Sequence, residues 1–202
     1  MSIILLLDWT SSHKIELGGT IFGLIYVIFS IRQSLYTWPA GIITSLLYCW
    51  VFFDARIYAG MVLQSYYLVI SVYGWWSWKH SGEPGSGEEK LQVSRTALNL
   101  WVKLFVLNSL ITLLMYYILG RYTDSPVPFG DAFTTSLSVV ATWMLARKKL
   151  EQWIIWIFID IISAAIYLHR GLYSTVFLFV VYTIMAGIGY YEWQKEPRKL
   201  IW

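Results

Sequence analysis

Long apolar runs alternate with short polar segments along the chain, and this pattern predicts seven membrane-spanning helices. A helix needs roughly 20 mainly apolar residues to cross the hydrocarbon core of a bilayer, and most of the runs come close to that length. The second run is shorter and begins at a proline, which is favoured in the first turn of a helix. The predicted spans are Gly18–Tyr36, Pro39–Phe53, Ile57–Trp78, Leu98–Leu119, Phe129–Ala146, Glu151–Leu168 and Leu172–Glu192. The pattern therefore predicts an all-α membrane protein.

The composition supports a membrane location. Hydrophobic residues make up 57% of the chain and charged residues only 13%, whereas a soluble domain carries about 25% charged residues. The 12 Trp and 15 Tyr residues suit interfacial belts and aromatic-lined cavities. The single cysteine, Cys49, excludes an internal disulfide, and no basic cluster with interleaved aromatic residues indicates nucleic-acid binding. The stretch Met1–Trp9 lacks a positive region and a cleavage site, so we expect no cleaved signal peptide.

The distribution of Lys and Arg over the loops predicts the orientation, because cytoplasmic loops carry an excess of these residues. If the N-terminus lies outside, the outer side holds four basic residues: Lys14, Arg56, Arg121 and Arg170. The inner side then holds ten, namely Arg32, Lys79, Lys90, Arg95, Arg147, Lys148, Lys149, Lys195, Arg198 and Lys199. We therefore expect an outer N-terminus and a cytoplasmic C-terminus.

The chain resembles itself at an offset of 115 residues, which indicates an internal repeat. The offset pairs Arg32 with Arg147, Trp38 with Trp153, Tyr58 with Tyr173, Leu63 with Leu178, Tyr67 with Tyr182, Gly74 with Gly189 and Trp78 with Trp193. It crosses four spans, an even number, so both copies have the same orientation and form a parallel repeat. The predicted parts are residues 1–80, a first three-helix repeat; 81–122, a polar linker with an inverting fourth helix; and 123–202, a second repeat with a cytoplasmic tail. Such a repeat predicts a substrate site near the bilayer midplane, between the two three-helix units.

The strongest candidate site lies on the sixth predicted span. Trp153, Trp156 and Asp160 are spaced i, i+3 and i+7, so they share one face of a helix. A carboxylate near the middle of a span is costly to bury and indicates a functional site that faces a protein interior or a cavity. Two indoles beside one carboxylate suit a flat, cationic or hydrogen-bonding molecule. The alternatives are an aromatic belt or helix packing for the indoles and a structural hydrogen bond for Asp160.

Three further residues are candidates for substrate binding. Gln64 lies at mid-depth in the third span, where lipid offers its amide no hydrogen bond, so it must find a partner in the protein or on a substrate. Tyr67 and its repeat mate Tyr182 could stack on a ligand from opposite sides. The alternatives are an interhelical hydrogen bond for Gln64 and core packing for either tyrosine.

Other functions of a multi-helix membrane protein find no support in the sequence. A retinal-based light sensor needs a lysine near the middle of its last span, and Leu172–Glu192 contains none. An intramembrane enzyme needs paired Asp, a Ser–His pair or a His cluster at depth, and Asp160 has no such partner. The chain also lacks the Gly-x-x-x-x-Gly-Lys-Ser/Thr motif of nucleotide-driven transport. We therefore expect a transporter, not an enzyme, with neither a cofactor nor a metal.

With those residues in view, the chain resembles the PnuC family of bacterial nicotinamide riboside transporters over most of its length. The segment from Trp153 through Trp156 to Asp160 matches the family's Trp-x-x-Trp-x-x-x-Asn/Asp signature. The segments Gln64–Trp78 and Gly171–Trp193 also resemble the family pattern. The resemblance implies a three-plus-one-plus-three helix bundle related to SWEET transporters, assembled as a homotrimer in the inner membrane. It also implies facilitated diffusion, with phosphorylation trapping the substrate in the cytoplasm.

The resemblance leaves the substrate open, because close relatives carry thiamine or riboflavin. The residues favour nicotinamide riboside or thiamine, since both have a positive ring nitrogen at neutral pH. A cation over an indole face gains roughly 0.5–2 kcal/mol, and an ionised Asp160 would add attraction. A phosphorylated substrate is disfavoured, because no Lys or Arg lies at mid-depth to meet its charge.

Overall fold

Seven helices account for nearly all of the described chain. The computed structural model describes residues 14–54, 58–81, 91–123, 127–169 and 171–195. The helices are α1 (Lys14–Ile31), α2 (Thr37–Asp54), α3 (Tyr58–His80), α4 (Leu98–Tyr122), α5 (Pro128–Ala146), α6 (Gln152–His169) and α7 (Tyr173–Gln194). Most of the predicted linker and the basic tail that holds Arg198 and Lys199 lie outside the described residues. The prediction of an all-α chain with seven helices is confirmed.

The largest error in the predicted boundaries concerns the end of the first span. Helix α1 ends at Ile31, five residues before the predicted end at Tyr36. Gln33 has a φ of 51°, in the left-handed region that ends helices, and the Ser34 N–H donates to the Phe29 carbonyl at 2.9 Å. The apolar side chains of Leu35 and Tyr36 hid this turn from a reading based on hydrophobicity.

The described residues up to Lys79 form one compact unit, in which small residues let helices approach closely. A Cβ at Gly19 of α1 would lie 3.0 Å from the Tyr48 ring of α2, and the Tyr48 hydroxyl is 3.2 Å from the Thr20 hydroxyl. On the same helix α2, a Cβ at Gly41 would lie 2.9 Å from the Ser71 hydroxyl of α3. Glycines at these contacts allow α2 to pack against both of its neighbours in the unit.

A tryptophan covers a glycine in each half of the chain. In the first unit the fully buried Trp38 lies directly against Gly74, and its ring meets the Trp78 ring edge-on at 5.1 Å. We call this arrangement, and its counterpart described next, a Trp–Gly–Trp contact. Because the indole occupies the place of a side chain, residue 74 has no room for one.

The second Trp–Gly–Trp contact lies 115 residues further along the chain. Trp153 covers Gly189, where a Cβ would lie 2.6 Å from the indole, and the Trp153 ring meets the Trp193 ring edge-on at 5.5 Å. The turn before it also recurs, since Lys148 has a φ of 48°, close to the 51° of Gln33. The same local geometry is therefore built twice, once in each unit.

The described residues from His80 onward form the second compact unit, with its core where α4, α5 and α6 meet. The buried members of that core are Leu104, Val140, Ala141, Met144, Ile155 and Ile159. Outside the core, α4 exposes large apolar side chains, including Phe105 at 71% and Leu113 at 64%. By length and apolarity three of the described helices can each cross a membrane, namely α4, α6 and α7, and α1 and α2 contain shorter apolar stretches. The exposed apolar surface of α4 fits contact with lipid better than contact with water.

Candidate functional site

Asp160 lies at the middle of α6, where it is the ninth of 18 helical residues. Its side chain is buried, with 4% of the residue exposed, although its carboxylate forms no hydrogen bond or ion pair with any residue that the structure describes. A buried charge without a partner is costly, so such a group either holds a proton or meets a ligand. The carboxylate can therefore accept hydrogen bonds from a bound molecule or balance a positive charge on it.

The two tryptophans of the predicted site differ in their surroundings. Trp153 is buried in the Trp–Gly–Trp contact, so Gly189 and Trp193 already occupy part of its ring surface. Its indole N–H is buried and has no hydrogen-bond partner among the described residues. Trp156 is half-buried and packs at the edge of the core of the second unit. Of the two, Trp156 has the more accessible ring.

Gln152 is a polar residue of this region that the sequence analysis missed. It begins α6, it is fully buried, and both the nitrogen and the oxygen of its amide lack a partner within the described chain. Buried amides in proteins nearly always form hydrogen bonds, to ordered water where no protein group is available. The signal in the sequence was a Gln directly before Trp153, in the first turn of a mainly apolar helix.

Tyr182 lies on α7, half-buried, within a row of aromatic rings. Its ring meets the Phe179 ring edge-on at 6.3 Å, and Phe179 in turn stacks on Tyr167 of α6 at 5.4 Å. This row fixes the Tyr182 ring on the side of α7 that packs against α6. Packing therefore accounts for part of the environment of Tyr182, and its accessible part could contact a ligand.

Gln64 and Tyr67 belong to α3, in the first unit, whereas the other four predicted site residues belong to the second. Both side chains are half-buried, and the Tyr67 ring lies 5.8 Å from the ring of Tyr66. The Gln64 amide forms no hydrogen bond with any described residue, so the interhelical bond, which was the alternative to substrate binding, is not found in that part of the chain. Its donors and acceptor are available to a bound molecule.

A second set of buried polar groups joins α4 to α5. The Ser136 hydroxyl donates to Asn108 Oδ1 at 2.8 Å, and the Thr112 hydroxyl lies 2.5 Å from that of Ser136. All three residues are buried, and the two hydroxyls and the amide oxygen are hydrogen-bonded to one another. Such interhelical bonds hold membrane helices together. We therefore assign this set to helix packing and not to the candidate site.

Comparisons with known proteins identify the family of the chain. The family described as "Nicotinamide mononucleotide transporter" matches residues 13–195 of the chain. This match covers all seven helices and both units.

Curated relatives match along most of their length. The chain is 25% identical to the nicotinamide riboside transporter PnuC of Escherichia coli K12, over 92% of this chain and 87% of that one. It is 23% identical to the riboflavin/roseoflavin transporter RibM of Streptomyces davaonensis, over 91% of this chain and 86% of that one. The relatives therefore include transporters of two different vitamins.

A solved structure has the same fold. The crystal structure of the vitamin B3 transporter PnuC superimposes with a TM-score of 0.73, over 95% of this chain and 85% of that one. The two sequences are 18% identical, so this likeness concerns the fold.

Proposed function

Because the chain belongs to the nicotinamide mononucleotide transporter family, we propose that it carries nicotinamide riboside across the bacterial cytoplasmic membrane. The observation that carries this proposal is the family match over residues 13–195. Relatives named nicotinamide riboside transporter support the nucleoside as the substrate. A riboside without a phosphate also suits a membrane interior in which the second unit places a buried carboxylate at mid-helix.

Transport is passive in this proposal. The sequence contains no phosphate-binding loop through which ATP could drive flux. Substrate binding then shifts the population between outward-open and inward-open states, and the concentration gradient sets the direction of net transport. Chemical modification of the substrate in the cytoplasm, such as phosphorylation, would keep the gradient inward.

In the second unit, each of three residues of α6 has its own role in binding. The Trp156 ring stacks on the pyridinium ring, where a cation–π contact contributes roughly 0.5–2 kcal/mol. The Asp160 carboxylate balances the positive charge or accepts hydrogen bonds from the ribose hydroxyls. Trp153 keeps α6 in place against Gly189, and its buried indole N–H lacks a partner among the described residues.

The remaining site residues complete the recognition of the substrate. The Gln64 amide bonds the ribose hydroxyls or the carboxamide, since it has two donors and one acceptor. Tyr67 and Tyr182 each provide an aromatic ring surface for stacking on the substrate. The two repeats contribute differently to this site, because residues 41 and 45 are Gly and Ser where the second repeat has Trp156 and Asp160. We therefore expect an asymmetric site.

Thiamine and riboflavin are the alternative substrates. The similarity to RibM favours riboflavin, whereas a carboxylate that lacks a cationic partner in the described chain favours a positively charged vitamin. Thiamine has such a charge and is therefore the first alternative to nicotinamide riboside.

We also propose how the chain is arranged in the membrane. The two Trp–Gly–Trp contacts, 115 residues apart, support two parallel three-helix repeats joined by α4. We further propose an outer N-terminus, a cytoplasmic C-terminus and assembly as a homotrimer.

The proposal is tested by uptake of labelled nicotinamide riboside into proteoliposomes that contain the purified protein. We expect saturable uptake that needs no ATP, inhibition by unlabelled nicotinamide riboside, and loss of at least about tenfold in kcat/KM in Asp160→Ala and Trp156→Ala. The matched controls are Asp131→Ala, in the first turn of α5, and Trp143→Ala, at the edge of the core on α5. Uptake that is unchanged in the two site variants would contradict the assigned residues, and absence of uptake by the wild-type protein would contradict the substrate.

A further inference from the structure

A short segment before α4 is hydrogen-bonded to the loop between α5 and α6, and we call this contact the clasp (residues 94–96 with residues 148–151). The Ser94 N–H donates to the Lys148 carbonyl at 3.1 Å, and the Leu150 N–H donates to the Ser94 carbonyl at 3.0 Å. These two bonds form an isolated parallel bridge between Ser94 and Lys149. Val93 and Leu150 are both buried at this contact, which gives the clasp a small apolar base.

Side chains add a charged part to the clasp. Glu151 Oε2 accepts two hydrogen bonds from one residue, from the Thr96 N–H at 3.0 Å and from the Thr96 hydroxyl at 2.8 Å. The Lys149 ammonium donates to the Ser94 hydroxyl at 3.0 Å, and burial lowers the pKa of this ammonium. Hydrogen bonds to ionised groups are roughly twice as strong as neutral ones, so these bonds favour one arrangement of the loop.

The clasp holds the residues on which α6 begins. The Trp153 N–H donates to the Leu150 carbonyl at 3.3 Å, and the N–H groups of Ile154 and Ile155 both donate to the Glu151 carbonyl, at 3.1 and 3.2 Å. Leu150 and Glu151 are the same residues that Ser94 and Thr96 hold. A change in the clasp is therefore transmitted to the first turn of α6 through only one or two covalently adjacent residues.

We propose that Thr96 and Glu151 are positioning residues for transport, which hold the first turn of α6 so that its binding face is presented to the substrate. This inference rests on the proposed function, because the face concerned carries Trp153, Trp156 and Asp160. When the clasp is weakened, the first turn of α6 samples positions in which Trp153 leaves Gly189. The fraction of binding-competent protein then falls, and the apparent affinity falls by the same factor.

The kinetic test compares variants of the clasp in the proteoliposome assay. Thr96→Val removes the hydroxyl donor and Glu151→Ala removes the acceptor, and we expect each to raise KM about three- to tenfold with kcat per folded transporter changed less than about twofold. Thr96→Ser and Glu151→Gln keep a donor and an acceptor, so both should restore KM to within about twofold of the wild-type value. The effects of Thr96→Val and Glu151→Ala on KM should be non-additive in the double variant, because both changes remove the bond between the Thr96 hydroxyl and Glu151.

Matched controls separate positioning from general destabilisation. Thr134→Val removes a hydroxyl that bonds only to carbonyls of its own helix, those of Gly130 and Asp131. Glu192→Ala removes a carboxylate whose partner is the exposed Lys195, three residues away. Both controls should leave KM unchanged.

Amide hydrogen exchange tests the clasp without any substrate. In detergent-purified protein we expect faster exchange in peptides that cover residues 150–156 for Thr96→Val and Glu151→Ala, and unchanged exchange there for the two controls and for Thr96→Ser. Unchanged exchange in the damaging variants would overturn the proposal, as would faster exchange with an unchanged KM in a transporter that is active. If the wild-type protein does not carry nicotinamide riboside, the proposed function fails, and the same KM comparison is made with thiamine or riboflavin.

Discussion

At the scale of single residues, the charge of Asp160 is the feature with the most chemical consequence. The side chain is buried at mid-helix, and the described chain supplies no cation or hydrogen-bond donor to it. A neutral ligand can give this carboxylate hydrogen bonds, but only a cationic ligand can also compensate its charge. Residue 160 should therefore determine the preference between charged and uncharged vitamins.

Asp160→Asn tests this preference, because it removes the charge and keeps the size of the side chain. We expect binding of nicotinamide riboside to weaken about 5- to 30-fold, which corresponds to roughly 1–2 kcal/mol, with binding of uncharged riboflavin unchanged or improved. Calorimetry on purified protein at neutral pH measures the dissociation constants of both ligands. Equal weakening for the two ligands would mean that the carboxylate acts only as a hydrogen-bond acceptor.

At the scale of helices, close contacts through glycine define how α6 meets α7. Trp153 covers Gly189 and is in edge-on contact with Trp193, so one indole joins the first turn of α6 to the last turns of α7. Helix association in lipid depends on such close packing, since lipid provides little hydrophobic force between helices. The clasp holds the residues that directly precede the same turn of α6.

Gly189→Ala should destabilise the protein, because the Cβ of the new alanine would lie 2.6 Å from the Trp153 ring. Overpacking of this kind costs about 1–3 kcal/mol, which thermal unfolding in detergent would register as a lower Tm. Gly187→Ala is the matched control, since a Cβ there meets no atom within 4 Å, and its Tm should equal that of the wild type. Equal melting of the two variants would show that Trp153 can move aside without cost.

The helices themselves could be predicted from the sequence, because each is a long run of mainly apolar residues that contrasts with the short polar segments beside it. The end of α1 could not, since a single left-handed residue, Gln33, stops the helix inside an apolar context. The clasp was equally inaccessible, because it pairs Ser94 with residues more than fifty positions away through bonds that have no periodic signal. In the candidate site, Asp160 stood out as a rare charge, whereas Gln152 and the network of Ser136 did not.

At the scale of the whole molecule, the asymmetry of basic residues over the loops is the property with the widest consequence. The inner loops would hold ten Lys and Arg residues and the outer side four. Such a bias favours one orientation during insertion, with the more basic side retained in the cytoplasm.

A reporter at each terminus tests the orientation. A C-terminal tag should be protected from protease in right-side-out vesicles and cleaved in inverted ones, and an N-terminal tag should behave in the opposite way. Cleavage of both tags from the same side would require an even number of crossings and would contradict the predicted topology.

The two Trp–Gly–Trp contacts give the protein internal optical reporters. Trp38 and Trp153 lie in different units and are almost completely shielded from solvent, with 0% and 3% of each residue exposed. Indoles that are packed inside a unit change their emission when that unit unfolds, in contrast to Trp50 and Trp76, which are mostly exposed on the protein surface. Replacing either shielded indole by phenylalanine would make its contribution to the emission spectrum separable, so that the melting of each half could be followed on its own within the intact chain.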